Sequence, residues 1–204
     1  MFESNYKNFN HLKVHSQYSI CEGAIKIDQL KDKAKESKIN SIGLCDTSNL
    51  CGAIEFSDRL SKVGTQPIIG TQINFNFENT TGLLPLFALN QDGYKKIIEL
   101  SSRSYLKDDE ISDPHLELND LFKLKTTGIS IFSGTIFGLF GKLFDKGKLP
   151  ELKNLYSDLK KIFDDRFYLE IQRHKDYNGD GFEKFNLAQS KELEIPIIAT
   201  NEVF

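Results

Sequence analysis

Seven short runs rich in β-favouring residues alternate along the chain with longer stretches of helical period. The runs cover residues 11–16, 41–46, 66–75, 84–90, 128–133, 167–172 and 196–202. Within them SIGLC, GISIF and PIIAT are apolar at successive positions, the pattern of strands covered on both faces, as in parallel sheets. Residues 25–38 place Ile27, Leu30 and Ala34 on one helical face with Lys and Asp opposite. Residues 49–63 repeat this with Ile54, Leu60 and Val63 ahead of Gly64, a natural stop. Residues 93–106, 149–163 and 182–193 follow the same period. Strands alternating with helices predict βαβ units with right-handed crossovers, in an open doubly wound sheet or a barrel. The polar, acidic stretch 107–118 reads as a surface excursion and 142–150 as a second break, both within one domain spanning 1–204.

Composition narrows the classes. A chain of 204 residues with 39% hydrophobic residues can bury a core without a metal or disulfide staple. Twenty-six Lys and Arg against 29 Asp and Glu give a net charge of -3, without the basic excess of a nonspecific nucleic-acid surface. No apolar run approaches the roughly 18 residues that span a bilayer. The first ten residues carry neither a basic start nor an apolar segment. Three cysteines, Cys21, Cys45 and Cys51, form no CxxC pair, which fits free thiols and a cytoplasmic location.

Several groups carry candidate chemistry. His11 and His15 stand four apart on a strand, hence on one face, where they fit either a shared metal site or a packed pair. Asp46 ends the second strand, where parallel-strand enzymes keep catalytic carboxylates; with Asn49 it fits a helix cap and turn equally well. DYNGDGFE (176–183) opens like a calcium loop, but Leu187 stands where the bidentate Glu belongs, so a connecting turn is expected. GTIFGLFG (134–141) lacks the Lys-Ser/Thr of a phosphate loop and reads as close backbone packing. Phe163, Phe167 and Tyr168 are expected inside.

Taken together, HLKVHSQYSICEGAIKI, GLCDTSNLCGAIEF, QPIIGTQINF, GYKKIIEL, FYLEIQRH and IPIIATNEV resemble, in order and spacing, the PHP (polymerase and histidinol phosphatase) domain. SQYSICEGA, NLCGAIEF and IIATNEV tie the resemblance to the branch found at the N-terminus of bacterial DNA polymerase III alpha subunits. It extends over nearly the whole chain. The resemblance implies a distorted seven-stranded βα barrel of TIM-like form, an α/β fold, here without the helix that would follow strand seven. It also implies an N-terminal excerpt of a much longer polymerase chain.

An active member of that family holds up to three divalent metals at the strand C-termini for phosphoester hydrolysis. Carried over by motif, the pocket here consists of Lys13, His15, Glu22, Asp46, Thr47, Gln72, Leu83, Thr135, Glu202 and Phe204. His15, Glu22 and Glu202 keep a ligand-type side chain, whereas Lys13 puts a cation where an ion should sit and Leu83 and Phe204 offer no donor. The resemblance therefore implies a catalytically silent domain with no cofactor, which supports a replicative DNA polymerase and docks its proofreading exonuclease subunit within the holoenzyme, meeting DNA through the parent chain. The rival expectations are an active metal-dependent phosphoesterase or 3′-5′ exonuclease holding divalent metals, and a free-standing anion-binding or regulatory module. For the remnant pocket two outcomes stay open: Lys13, His15, Arg173 and His174 form a cationic cleft for phosphate, or Lys13 pairs with Glu22 or Glu202 and fills it.

Overall fold

The computed structural model describes residues 9–106, 113–124, 128–173 and 179–204. Its first half begins as the alternation predicts. Strands β1 (Lys13–Val14), β2 (Ser41–Thr47) and β3 (Gln66–Phe77) run parallel, linked through α1 (Ile27–Ser37) and α2 (Ala53–Ser61). Apolar residues on the outward face of β1 and β2 meet these helices in a cluster of Val14, Ile27, Ala34, Ile42, Leu44, Phe56 and Leu60. Each of the larger side chains, Ala34 excepted, contributes about 1.5–3 kcal/mol on leaving water.

The parallel run then breaks, against the expectation of uniform βαβ units. Strand β3 returns directly into β4 (Thr80–Ala88) as an antiparallel hairpin, with Phe77 opposite Thr80. The two turn residues, Glu78 and Asn79, both adopt positive φ (47° and 59°), which the twist-matched two-residue hairpin turn requires. Strand β4 is antiparallel to its other neighbour as well, β6 (Ile129–Phe132). Asn90, expected at the end of this strand, instead caps α3 (Gln91–Ser104), its Oδ1 accepting the Gly93 N–H at 2.9 Å.

The stretch read as a surface excursion also differs where it is described. Residues 115–117 form β5 (His115–Glu117), parallel to the end of β3, and run into α4 (Leu118–Lys123). Leu116, Leu118 and Leu121 are buried in the main core, which offsets the acidic character of the segment. The glycine-rich stretch after β6 winds into α5 (Leu139–Asp145), whose Leu139, Phe140 and Leu143 are buried, so the second break shrinks to a turn around Gly147. Helix α6 (Leu149–Phe163), β7 (Phe167–Ile171) and α7 (Asp180–Leu193) follow. Residues 176–178 of the calcium-like motif lie outside the described residues; the rest runs from Gly179, the N-cap of α7, into the first turn of that helix.

The last segment closes the sheet. Strands β8 (Ile197–Ala199) and β9 (Glu202–Val203) are separated only by Thr200 and Asn201. The first pairs with β7 and the second with β1, both parallel, so one stretch of chain joins the two ends of the order β8-β7-β6-β4-β3-β2-β1-β9. Closure produces the distorted βα barrel, with β4 as its reversed stave. Inside it, Cys45, Phe87 and Phe132 pack with Leu12, Ile68, Tyr168 and Ile198 as an apolar plug. Outside, residues of β3, β4, β6 and β7 pack on α3, α5 and α6 in the largest core cluster, which includes Ile73, Leu86, Ile131, Leu169, Leu100, Leu152 and Phe163. Among the described residues no helix is long and apolar enough to cross a membrane.

Candidate functional site

Period-two alternation decides what reaches the barrel mouth. If Cys45 faces the plug, so does Thr47 above it, and Leu44 and Asp46 face the other way. The same rule sends Gln72 up from β3, Leu83 and Pro85 from β4, Glu170 and Gln172 from β7, and Glu202 and Phe204 from the closing segment. These side chains meet at the C-terminal ends of the parallel strands, where a barrel keeps its chemistry. A cavity of about 550 Å³ opens there, lined by Lys13, Glu22, Gln72, Leu83, Pro85, Gly134, Thr135, Phe137, Gly138, Gln172, Glu202 and Phe204.

One side of the floor is charged. The Lys13 ammonium lies 3.3 Å from Glu170 Oε1 and 3.2 Å from Glu202 Oε1, and Lys13 is 2% exposed. His15 Nε2 donates to the same Glu202 oxygen at 3.0 Å, and the Phe204 ring stacks on the imidazole at 4.4 Å and 13°. Glu170 is fully buried; its Oε1 also accepts from Gln172 Nε2 at 2.9 Å and from the Thr200 hydroxyl, while Oε2 is buried without a hydrogen-bond partner among the described residues. Burial pulls the Lys13 pKa down, but the two carboxylates outweigh it and hold the ammonium above its ordinary value. Burial pushes Glu202 up, but the His15 hydrogen bond and the Lys13 charge overcome it and lower its pKa to about 2. Burial pushes the Cys45 thiol, beneath Lys13, well up, so it stays protonated and packs as an apolar group.

The opposite side holds one carboxylate, Glu22, among neutral groups. Gln72 Nε2 donates to Thr47 Oγ1 at 3.1 Å, and that hydroxyl donates to Glu22 Oε2 at 2.5 Å, a relay that draws Glu22 toward β2 and away from Lys13. Thr135 Oγ1 accepts the Phe137 N–H at 3.3 Å. Leu83, Pro85 and Phe137 complete this side with carbon.

Several expected site residues stand elsewhere. Asp46 is fully buried behind the pocket and neither lines it nor caps a helix: Oδ1 accepts from the Ser16 N–H at 2.6 Å and Ser19 Oγ at 2.7 Å, and Oδ2 from Ser16 Oγ at 2.8 Å. It anchors the loop that carries Glu22. Asn49 folds the next loop, accepting the Cys51 N–H and donating to Tyr18 and Thr47 carbonyls. His11 does not join His15; its ring stands edge-on to Phe9 at 5.0 Å. Arg173 is exposed and pairs with Glu183 at 2.6 Å, outside the pocket lining. His174 lies outside the described residues. Among the described residues the cationic cleft is therefore not assembled: Lys13 is shared between two carboxylates, Arg173 is engaged by a third, and His15 donates a hydrogen bond to Glu202. Of the two outcomes left open, Lys13 pairs as in the second, with Glu202 and not with Glu22, but the pairing leaves the cavity open rather than filled.

Glu170 and Gln172 are the functional-site residues the motif reading overlooked. The signal was present in FYLEIQ, where a carboxylate interrupts an apolar strand and shares its face with Tyr168 and Gln172.

A model of the PHP domain family matches residues 11–174. Among curated proteins, DNA polymerase III subunit alpha of Caulobacter vibrioides is 34% identical over 213 aligned residues, covering 100% of this chain and 18% of its own length. The Borreliella burgdorferi protein of the same name is 35% identical over 205 residues, covering 95% of this chain and 18% of its own length. The chain thus spans about a fifth of the length of these relatives. Among solved structures, a two-domain protein from Bacteroides vulgatus, described as containing a predicted PHP-like metal-dependent phosphoesterase, superposes with a TM-score of 0.55 at 12% identity, over 95% of this chain and 51% of that one. A protein from Bifidobacterium adolescentis, provisionally described as a metal-dependent phosphoesterase, gives 0.50 at 11% identity, over 95% and 87%. At these identities the likeness is one of fold.

Proposed function

The chain belongs to the PHP domain family, and from that premise we propose that it serves as the N-terminal domain of a bacterial replicative DNA polymerase alpha subunit, catalytically silent at its own pocket. In this reading it works in the cytoplasm, supports the polymerase that follows it, and docks the proofreading exonuclease subunit. Relatives named as polymerase alpha subunits, matching this chain over a fifth of their length, support the placement.

The observation that carries the silence is the Lys13 ammonium, sealed between Glu170 and Glu202 at 3.3 and 3.2 Å. The residues do not fit the divalent metals of the family. A metal ion would have to displace a buried cation that already satisfies two carboxylates, at a cost that a lone imidazole covered by Phe204 could not offset. Leu83 and Phe204 supply no donor atom, and among the described residues no group of three His, Cys, Asp or Glu is placed to hold an ion. A two-metal hydrolysis needs both ions clamped about 3.5–4 Å apart, which this floor does not provide.

The test joins two assays on the full chain: co-purification with the exonuclease subunit of the same genome, and phosphodiester hydrolysis with manganese or zinc supplied. The expected result is a complex at micromolar concentration and no turnover. Turnover dependent on the metal would contradict the silence, and no complex would contradict the docking role.

A further inference from the structure

At the tip of the β3–β4 hairpin stands a group of cations that the proposed role does not use. Lys142 and Lys146 of α5 both reach across to this tip, Lys142 Nζ donating to the Thr81 carbonyl at 2.9 Å and Lys146 Nζ to Thr80 Oγ1 at 2.8 Å. These partners are neutral and occupy one of the three donors of each ammonium. Neither lysine has a carboxylate partner among the described residues. Lys148, just beyond α5, pairs with Glu78 at 2.8 Å, so that cation and that acid cancel. Asp145, the one acid of α5, stands about 100° round the helix from Lys146 and about 60° from Lys142. The edge therefore keeps two exposed, uncompensated ammoniums beside one carboxylate turned aside.

The groups beside these lysines are of the kind that meets phosphate. Asn79, at the exposed hairpin turn, adds a side-chain amide at the same edge. Lysines four apart on a helix stand about 5–6 Å apart at Cβ, so each can meet its own phosphate along a strand. Ammonium, amide and hydroxyl groups position a nucleic-acid backbone without reading its sequence. An acidic protein surface would also need an apolar anchor, and the turn from Glu78 to Thr81 offers none. The chain's net charge of -3 argues against a broad basic surface and confines the contact to this edge. We propose that the hairpin tip and α5 form a phosphate-contact edge for a nucleic-acid strand, with Lys142 and Lys146 each meeting one phosphate. The polymerase placement above selects DNA as the strand to try, and the exonuclease assay reports on that placement separately.

The probe is a short single-stranded oligothymidylate, titrated into the isotopically labelled full chain at low salt, followed by amide shifts and repeated at rising salt. Lys142→Gln with Lys146→Gln removes both charges at exposed positions, Lys142→Arg with Lys146→Arg keeps them, and Lys191→Gln removes an exposed lysine of α7 as a control. The oligonucleotide should shift the amides of residues 78–81 and 142–148. The glutamine pair should weaken binding at least fivefold at low salt and flatten the slope of log affinity against log salt by about 1.4, roughly 0.7 for each phosphate of a single strand. The arginine pair should bind as the original chain does, and Lys191→Gln should stay within twofold of it. No binding at about 1 mM oligonucleotide, shifts elsewhere, an unchanged slope, or an equal loss from Lys191→Gln would overturn the edge. Tighter binding of hexaglutamate through the same lysines would overturn it in favour of an acidic peptide. Oligonucleotide binding without exonuclease co-purification keeps the edge and removes the docking role; an exonuclease complex without oligonucleotide binding does the reverse.

Discussion

The two sides of the barrel mouth differ in how their polar groups are held. On the side of β1, β7 and β9 the polar residues remain, and they neutralise one another: Lys13 against Glu170 and Glu202, and His15 against Glu202. On the side of β3, β4 and the loop after β6 the lining is amide, hydroxyl and carbon, in Gln72, Thr135, Leu83 and Pro85. The charged side is bound into the fold, because each of its groups becomes an uncompensated buried ion if its partner goes. The neutral side is free to change. The mouth thus carries two kinds of residue, some held by mutual electrostatics and some held by little.

The largest effect should follow from breaking the charged side. Lys13→Met strands Glu170 and Glu202 without their cation and is expected to cost about 3–5 kcal/mol in urea unfolding. Lys13→Met combined with Glu170→Gln and Glu202→Gln should recover most of that loss, because the desolvated charges go together. A triple variant as unstable as the single one would mean that Lys13 acts through packing alone.

Next comes acid. The Glu202 carboxyl is depressed from its ordinary 4.5 to about 2, so it adds stability that is complete above pH 4.5 and is lost as pH falls toward 2. The contribution is about 3 kcal/mol and should vanish from the acid limb of the stability curve in Glu202→Gln. Lys13 titrates above the working range and adds no slope there. An unchanged acid limb would place the source of acid sensitivity elsewhere.

Smaller still is Phe204→Ala, which uncovers the His15 ring and should cost about 1 kcal/mol by thermal melting, the scale of one stacked ring pair. Smallest is Gln72→Leu on the neutral side. It removes one donor to Thr47 while Thr47 keeps its bond to Glu22, for a loss of about 1 kcal/mol or less. A cost at Gln72 equal to that at Lys13 would erase the contrast between the two sides.

Much of this was legible in the sequence, and what was not has a common cause. The seven staves, and lining residues such as Lys13, Glu22, Gln72, Leu83, Thr135, Glu202 and Phe204, follow from the strand-like runs and the PHP-like motifs, since both are local. The reversal of β4 is not local: alternation is the same in either direction, and the turn that reverses the chain carries Glu78 rather than Gly at its first left-handed position. The role of Glu170 required knowing that β7 and β1 approach the same closing segment, so that residues 13, 170 and 202 meet. Lys13 could be expected to find a carboxylate, but the choice between Glu22 and Glu202 was set by Thr47, which holds Glu22 on the far side.

The central claim is that the Lys13 ammonium has taken the place of metal. Manganese titration of the full chain at neutral pH, read by electron paramagnetic resonance, tests it most directly. The account predicts that the free manganese signal falls only as weak surface binding allows, and that it is unchanged by His15→Ala. Stoichiometric manganese bound at micromolar concentration, lost in His15→Ala together with phosphodiester turnover, would contradict it.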